Sequence, residues 1–261
     1  MNNTPRLLAT DGREDISQFV IHLTRNDQDD YEDGNTAKNN FQCIMRDRKI
    51  IAVRPHCLFN KRLNTLSTED KQKLNVACFT EVPLDQLHLL VREIPGREIK
   101  FEPYGFVFSK EFIIESGGQP AIYINSYNRT LYLREAVDEI FKISHKNGRF
   151  VSKIWRILPF INAMNEKYDF SWEREWRING DLEFELNDLV CVILPEDKES
   201  SLKQNLAKKG IAVISPGWTY EQIANELVKQ QKLTKQLHIE EIKRLKKEIN
   251  RLEVEAQKSI C

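Results

Sequence analysis

Residues 189–194 read LVCVIL, a short apolar run with several β-branched side chains, which is typical of a buried strand. Residues 201–209 follow with a helical pattern that Gly210 closes, and residues 211–214, IAVI, form a second apolar run. A strand, a helix and a strand in this order predict two parallel strands, because a parallel connection needs a crossover of about a dozen residues or more.

Further strand-like runs lie upstream, at residues 19–24, 76–79, 104–108, 121–124 and 172–178, and the three middle runs are predicted to be core strands. Helical spacing of apolar residues predicts a helix leading into a strand over 41–53, a helix over 131–145 that Asn147-Gly148 ends, and a helix over 150–165 kinked at Pro159. The sequence therefore predicts an α+β fold with a mixed central sheet and flanking helices, followed by a long C-terminal helix.

The C-terminal helix is predicted from Thr219-Tyr220-Glu221-Gln222, which has the spacing of a capping box, and no Gly or Pro follows it. We expect one domain over residues 1–217 and the helix over 218–261. A weak heptad pattern shifts phase into a cleaner set, Ile242, Leu245, Ile249, Leu252 and Ala256. The set favours a homo-oligomer or a cognate protein partner bound through residues 219–258; the alternative is a helix packed along its own domain.

Composition limits the classes of function. The 261 residues carry 39 Lys and Arg against 39 Asp and Glu, and 41% are apolar, so a folded core is expected. A net charge of zero gives no general argument for nucleic acid or membrane binding, although a local basic patch stays open. Five widely spaced cysteines indicate reduced thiols, and no secretory signal or spanning stretch is seen. We therefore expect a cytoplasmic protein with no membrane partner.

The sequence lacks several common catalytic motifs, which excludes the classes of enzyme that depend on them. Neither a Gly-rich phosphate loop nor a CxxC pair is present, so no nucleotide-triphosphate site of the common kinds and no metal site are predicted. The unusual segment is residues 170–178, FSWEREWRI, where a period of two would put Glu173, Glu175 and Arg177 on one face and Trp172 and Trp176 on the other. Two interpretations stay open: an edge strand with cross-strand ion pairs, or a carboxylate held in a partly dry site.

The ordered set of segments resembles the AbiGi family, antitoxins of bacterial abortive phage infection systems, and a related bacterial family that ends in a Glu-Arg-Glu-Trp-Arg strand. The resemblance spans about residues 22–214 and rests on five segments: His22-Leu23-Thr24, residues 77–84 (ACFTEVPL), residues 104–112 (YGFVFSKEF), residues 120–124 (PAIYI) and residues 173–177 (EREWR). It implies a cytoplasmic role in phage defence, in which a partner of residues 219–258 would be a cognate defence-system protein.

The layout is also similar to that of ADP-ribosyltransferases, with an early His-x-Thr, a middle strand with an aromatic residue and a late Glu-x-Glu. This similarity implies NAD as substrate. His22 and Thr24 would hold it, and Tyr104 or Tyr123 would stack on its nicotinamide. Glu175 would stabilise the positive charge that builds on the ribose, while Glu173 would orient the acceptor, a protein, DNA or RNA.

Two hypotheses of different class follow from these resemblances. The first is an enzyme with an ADP-ribosyltransferase-like domain, either a transferase or an NAD glycohydrolase. The second is a non-catalytic antitoxin or partner-binding protein, in which the Glu173 to Arg177 segment is structural and the C-terminal helix makes the functional contact. The sequence leaves both open.

Overall fold

The computed structural model describes residues 16–27, 34–54, 60–94, 100–125, 131–164 and 171–231. Thirteen strands are found there: β1 Phe19–Arg25, β2 Lys49–Ile50, β3 Val76–Thr80, β4 Phe101–Ser109, β5 Gln119–Pro120, β6 Ile122–Ile124, β7 His145–Lys146, β8 Arg149–Phe150, β9 Ile161–Ala163, β10 Glu175–Asn179, β11 Leu182–Glu183, β12 Leu189–Ile193 and β13 Val213–Ile214. The α-helices are α1 Ala37–Asp47, α2 Asn60–Leu63, α3 Thr68–Lys73, α4 Leu87–Val91, α5 Lys110–Glu115, α6 Leu131–Ser144, α7 Ser200–Lys208 and α8 over residues 220–231. Segments of 3₁₀-helix span Leu84–Gln86, Lys153–Phe160, Ser171–Glu173 and Leu186–Asp188.

The central sheet has seven strands in the order β13-β12-β4-β1-β3-β10-β5. Its strand pairs are antiparallel except β12 and β13, which are parallel and are joined through α7. The α+β class, the mixed sheet and the parallel pair are therefore confirmed.

Alternation along the strands creates a core on each side of the sheet. In β1, Val20 packs with a cluster that includes Phe79, Phe106 and Trp176. Ile21 of the same strand packs on the other side, with a cluster that includes leucines of α4 and residues of β12 and β13. A strand alternates its side chains between faces, so both faces of the sheet are covered.

A third cluster forms a smaller layer built from α2, the leucines that flank α3, α6 and the 3₁₀ segment Lys153–Phe160. Leu74, Val137, Phe141 and Leu158 are at its centre. This layer meets the sheet at β10, where Arg177 donates from Nη1 to the carbonyl oxygen of Pro159 at 2.7 Å.

Three local predictions are wrong. Over residues 150–163, the chain forms the end of β8, the 3₁₀ segment and β9 rather than the α-helix expected over 150–165; Pro159, which has no N–H to donate, lies inside the 3₁₀ segment. Asn147 and Gly148, with φ of 52° and 74°, make the turn between β7 and β8, because the preceding helix has already ended at Ser144. Residues 122–124 pair with β9 outside the central sheet.

Two details near the C-terminus bear on the predicted helix. The capping box is confirmed: Gln222 N donates to Thr219 Oγ1 at 3.3 Å, and Thr219 N donates to Gln222 Oε1 at 2.8 Å. Residues 220–231 are helical, and the heptad set from Ile242 to Ala256 lies outside the described residues. In the described part of the chain, no helix combines the length and apolar character needed to cross a membrane.

Candidate functional site

Strand β10 presents a buried ion pair formed by residues two apart on one face. Arg177 donates from Nε to Glu175 Oε1 at 2.8 Å and from Nη2 to Glu175 Oε2 at 3.0 Å. The guanidinium is 1% exposed, and the carboxyl side chain is 14% exposed. This two-point geometry holds both groups in one orientation, since a planar guanidinium matches a carboxylate edge.

Two further side chains reach the same carboxylate from a separate pair of short strands. Strands β6 and β9 are parallel neighbours that place Tyr123 beside Asn162. Tyr123 Oη donates to Glu175 Oε2 at 2.8 Å, and Asn162 Nδ2 donates to the same oxygen at 3.4 Å. Oε2 thus accepts three donors, which leaves the carboxylate little capacity for a substrate.

The protonation state of Glu175 follows from these contacts. Burial alone would raise its pKa, but the charge of Arg177 and hydrogen bonds from Arg177, Tyr123 and Cys78 outweigh burial and hold the pKa below its ordinary value. Burial, followed by the charge of Glu175, raises the pKa of the Tyr123 hydroxyl. The site therefore holds an ionised carboxylate and a neutral phenol at neutral pH.

Cys78 adds a thiol to this face of the sheet, because it is the register partner of Arg177 on β3. Burial is the main cause that raises its pKa, and the negative charge of Glu175 adds to it. The thiol therefore stays protonated and donates to Glu175 rather than acting as a nucleophile.

The predicted NAD-binding residues of β1 lie on the opposite face. Glu175 pairs with Thr80, and Thr80 pairs with Ile21, so these three share a face. His22 points the other way, and its ring lies 5.7 Å from that of Phe79. The structure brings Tyr123 to Glu175, but it does not bring His22 or Thr24 to them.

His22 and Thr24 instead bond to backbone carbonyls. The Nδ1 atom of His22 lies 2.9 Å from Cys78 O, and a carbonyl only accepts, so Nδ1 carries the hydrogen. Thr24 Oγ1 donates to Ala37 O at 2.8 Å and lies 3.2 Å from Tyr104 O. These contacts tie β1 to β3, α1 and β4.

Tyr104, the other candidate for stacking on nicotinamide, also lies away from Glu175. Its hydroxyl donates to Glu199 Oε1 at 3.0 Å, and Lys38 Nζ lies 2.8 Å from the same oxygen. Burial, helped by Glu199, raises the pKa of Tyr104 to about 12. These three side chains link β4 to α1 and to the start of α7.

Glu173 lies before β10 rather than on it. Arg174 has a φ of 45°, which breaks the extended backbone, so the strand starts at Glu175 and the predicted strand from Trp172 is wrong in its first residues. The carbonyl oxygen of Glu173 accepts from Glu81 N at 3.3 Å and from Thr80 Oγ1. Trp172 packs on the opposite side of the sheet from Trp176.

A second buried polar cluster lies on the Trp176 side. Lys110 Nζ is 2.9 Å from Glu81 Oε1, and Trp176 Nε1 donates to Glu81 Oε2 at 2.8 Å. Lys110 also lies 5.7 Å from the Trp176 ring centre. All three polar groups are satisfied within the protein, so the cluster ties α5 to β3 and β10.

The sequence placed Glu175 and Arg177 on one face and offered Tyr123 as a stacking residue, but it gave no reason to expect Asn162 at this site. The Glu-x-Arg spacing on a strand was the available signal for Arg177, because residues two apart share a face. Nothing local in the sequence marks Asn162, since the pairing of β6 with β9 brings it to the site. Within the described ranges, no group of three or more His, Cys, Asp or Glu could hold a metal ion.

The fold and this site define an α+β protein whose central sheet carries a buried Glu–Arg pair with a tyrosine. In comparisons with known proteins, no protein family, no curated protein and no solved structure matches the chain.

Proposed function

We propose that the protein is a non-catalytic, partner-binding component of a bacterial abortive phage infection system and acts in the cytoplasm. The observation that carries the non-catalytic part is the state of Glu175, whose two carboxylate oxygens are both bonded within the protein. Its predicted helpers His22 and Thr24 lie on the other face of the sheet. Under this proposal, the Glu175–Arg177 ion pair stabilises the fold and takes no part in a reaction.

The phage-defence context rests on the resemblance of the ordered segments, and their arrangement supports reading them as one unit. Four of the five segments contribute to strands β4, β1, β3 and β10, which are consecutive neighbours in the sheet. The free thiols of Cys43, Cys78 and Cys191 agree with a reducing compartment.

The partner-binding part is supported by the way α8 uses its apolar residues. Ile223 is buried and Leu227 packs beside it, while Gln230 Nε2 donates to Ala207 O at 3.0 Å. These three residues, which begin the weak heptad pattern, thus contact the domain itself. The later set from Ile242 to Ala256 has a shifted phase in the sequence, which favours a separate contact with a second copy or a cognate partner.

The test compares two double variants in a bacterial host that carries the gene in its native locus. Leu245→Asp with Leu252→Asp should abolish phage protection and convert an oligomer to a monomer in light scattering. Glu175→Gln with Arg177→Gln removes both buried charges together and should leave protection intact. Loss of protection in the second variant, with an unchanged melting temperature, contradicts the proposal.

A second candidate, NAD cleavage or ADP-ribosyl transfer, is favoured by one observation: Glu175 is held ionised with the Tyr123 hydroxyl 2.8 Å away. An oriented carboxylate of this kind can stabilise positive charge on a ribose. Purified protein, adenylate-labelled NAD and a cell extract would reveal nicotinamide release or label transfer. Activity that disappears in Tyr123→Phe and in the Glu175–Arg177 double variant would establish the enzyme.

A further inference from the structure

One part of this neutral chain concentrates positive charge. Residues 140–165 contain five Lys or Arg and no Asp or Glu. The five are Lys142, Lys146, Arg149, Lys153 and Arg156, here called the basic face, and all are exposed. They follow one another along the end of α6, the β7–β8 hairpin and the 3₁₀ segment Lys153–Phe160.

The hairpin places two like charges side by side. Lys146 and Arg149 are direct cross-strand partners, next to the turn. The neighbouring pair, His145 and Phe150, turns inward, with ring centres 5.0 Å apart and Phe150 packed on the third core cluster. Like charges directly opposite each other destabilise a strand pair, so this arrangement is unfavourable unless an anion meets it.

The 3₁₀ segment follows the hairpin closely, and the inward rings of Phe150 and Trp155 lie 5.2 Å apart. Residues three apart lie above one another in a 3₁₀-helix. Trp155 and Leu158 face the third cluster, which leaves Lys153 and Arg156 as one outward row and Ile154 and Ile157 as another. A basic row therefore runs beside an aliphatic row.

The five cations are uncompensated by the residues that the structure describes. No described carboxylate forms an ion pair with any of them, whereas Arg62 nearby pairs with Asp138 of α6 at 2.9 Å. Exposed aliphatic side chains lie among them: Val151 is 51% exposed, Ile154 43% and Ile157 41%. Val151 is two residues from Arg149, so the two extend the same side of the hairpin.

We propose that the basic face, together with Val151, Ile154 and Ile157, docks the protein on an anionic lipid membrane surface. Anionic headgroups neutralise the Lys146–Arg149 pair and the Lys153–Arg156 row, and the aliphatic side chains enter the headgroup boundary. A nucleic acid would meet the charges but leave the aliphatic row in water. Such peripheral docking requires no helix that crosses the bilayer, and it would replace the expectation, drawn from the net charge, that the protein has no membrane partner.

The experiment measures co-sedimentation of the full chain with phosphatidylcholine vesicles that contain or lack phosphatidylserine. The protein should bind only the anionic vesicles. Lys146→Gln with Arg149→Gln should weaken that binding by about 25-fold, since each cation near the surface contributes about fivefold. This variant removes a repulsive pair, so its melting temperature should not fall.

Two more variants separate the contributions. Ile154→Ser with Ile157→Ser should weaken binding at both low and high salt, because the aliphatic contribution is not screened. Lys208→Gln with Lys209→Gln, at the end of α7, removes the same number of charges elsewhere and should bind as the natural chain does. Absence of binding to anionic vesicles, an equal loss in the α7 control, or capture of a labelled single-stranded oligonucleotide instead of vesicles would overturn the proposal.

Discussion

Removal of one member of the Glu175–Arg177 pair leaves the other charge buried without its opposite charge, since only neutral groups would then remain bonded to it. We expect Arg177→Met to lower the free energy of unfolding by about 3–5 kcal/mol. Glu175→Gln with Arg177→Met should be more stable than Arg177→Met alone, since no charge remains buried. Urea denaturation of the three proteins measures the difference.

The control for this prediction is Arg46→Met, because Arg46 pairs with Asp47 at the surface at 2.6 Å. An exposed pair contributes little, so this variant should unfold close to the natural chain. If Arg177→Met were as stable as Arg46→Met, the buried pair would have no structural role.

His22 gives a separate dependence of stability on pH. Burial lowers the pKa of its imidazole from the ordinary 6.5, more than the hydrogen bond to Cys78 O raises it. The unfolded chain therefore takes up a proton first as the pH falls. Stability should be complete above 6.5, decrease below it and level off below the folded pKa.

The measurement for His22 is the free energy of unfolding at a series of pH values, for the natural chain and for His22→Gln. The difference between the two proteins isolates His22 from the other four histidines. Identical pH profiles would mean that the imidazole titrates alike in the folded and unfolded chains.

Among the strands, β4 comes unusually close to β1 at Gly105. A Cβ atom there would lie 2.6 Å from the carbonyl oxygen of His22 and 2.9 Å from Leu23 Cδ2. The first of these is backbone and cannot rotate away. We expect Gly105→Ala to cost about 1–3 kcal/mol in unfolding free energy, as overpacking of a core does.

Gly148→Asn is the matched control for Gly105→Ala. Gly148 has a φ of 74°, a conformation that Asn tolerates, and a Cβ atom at this position would have no neighbour within 4 Å. Thermal unfolding of both variants should show a loss only for Gly105→Ala; equal shifts would argue against the close approach.

The elements that local sequence could predict are those whose pattern carries its own signal. Helix α6 has apolar residues at helical spacing, and the capping box at Thr219 needs only neighbours. The helix over 150–165 failed because the spacing of three in a 3₁₀ segment is close to that of an α-helix, and the packing of Leu158 and Pro159 decides between them.

The candidate site was predictable only in part for a related reason. The alternation of side chains along a strand placed Glu175 and Arg177 on one face. The face on which His22 lies, relative to Glu175, depends on strand register. A shift of one residue would reverse that face, and the sequence of β1 alone does not fix its register. Asn162 and Tyr123 meet through pairing of distant short strands, which no local pattern reveals.

For the entire chain, the extent of the folding unit can be tested by truncation. Ile223 is 2% exposed and belongs to the same cluster as Ile214, so the first part of α8 contributes to the core. A chain ending at residue 231 keeps these contacts. A chain ending at residue 217 should lose at least about 2 kcal/mol, the value of burying one large aliphatic side chain.

Urea denaturation of the two truncated chains decides this prediction. Equal unfolding free energies for the chains ending at 217 and 231 would show that α8 only rests on the domain.

The order of strands also has a consequence for synthesis on the ribosome. The three central strands β4, β1 and β3 are complete once residue 109 has emerged, whereas β10 and β12, which flank them, begin at residues 175 and 189. At about 5–20 residues per second, the nascent sheet has two uncovered edges for roughly 3–13 s before β10 arrives. Such edges attract other chains, so we expect newly made protein to depend on chaperones during that interval.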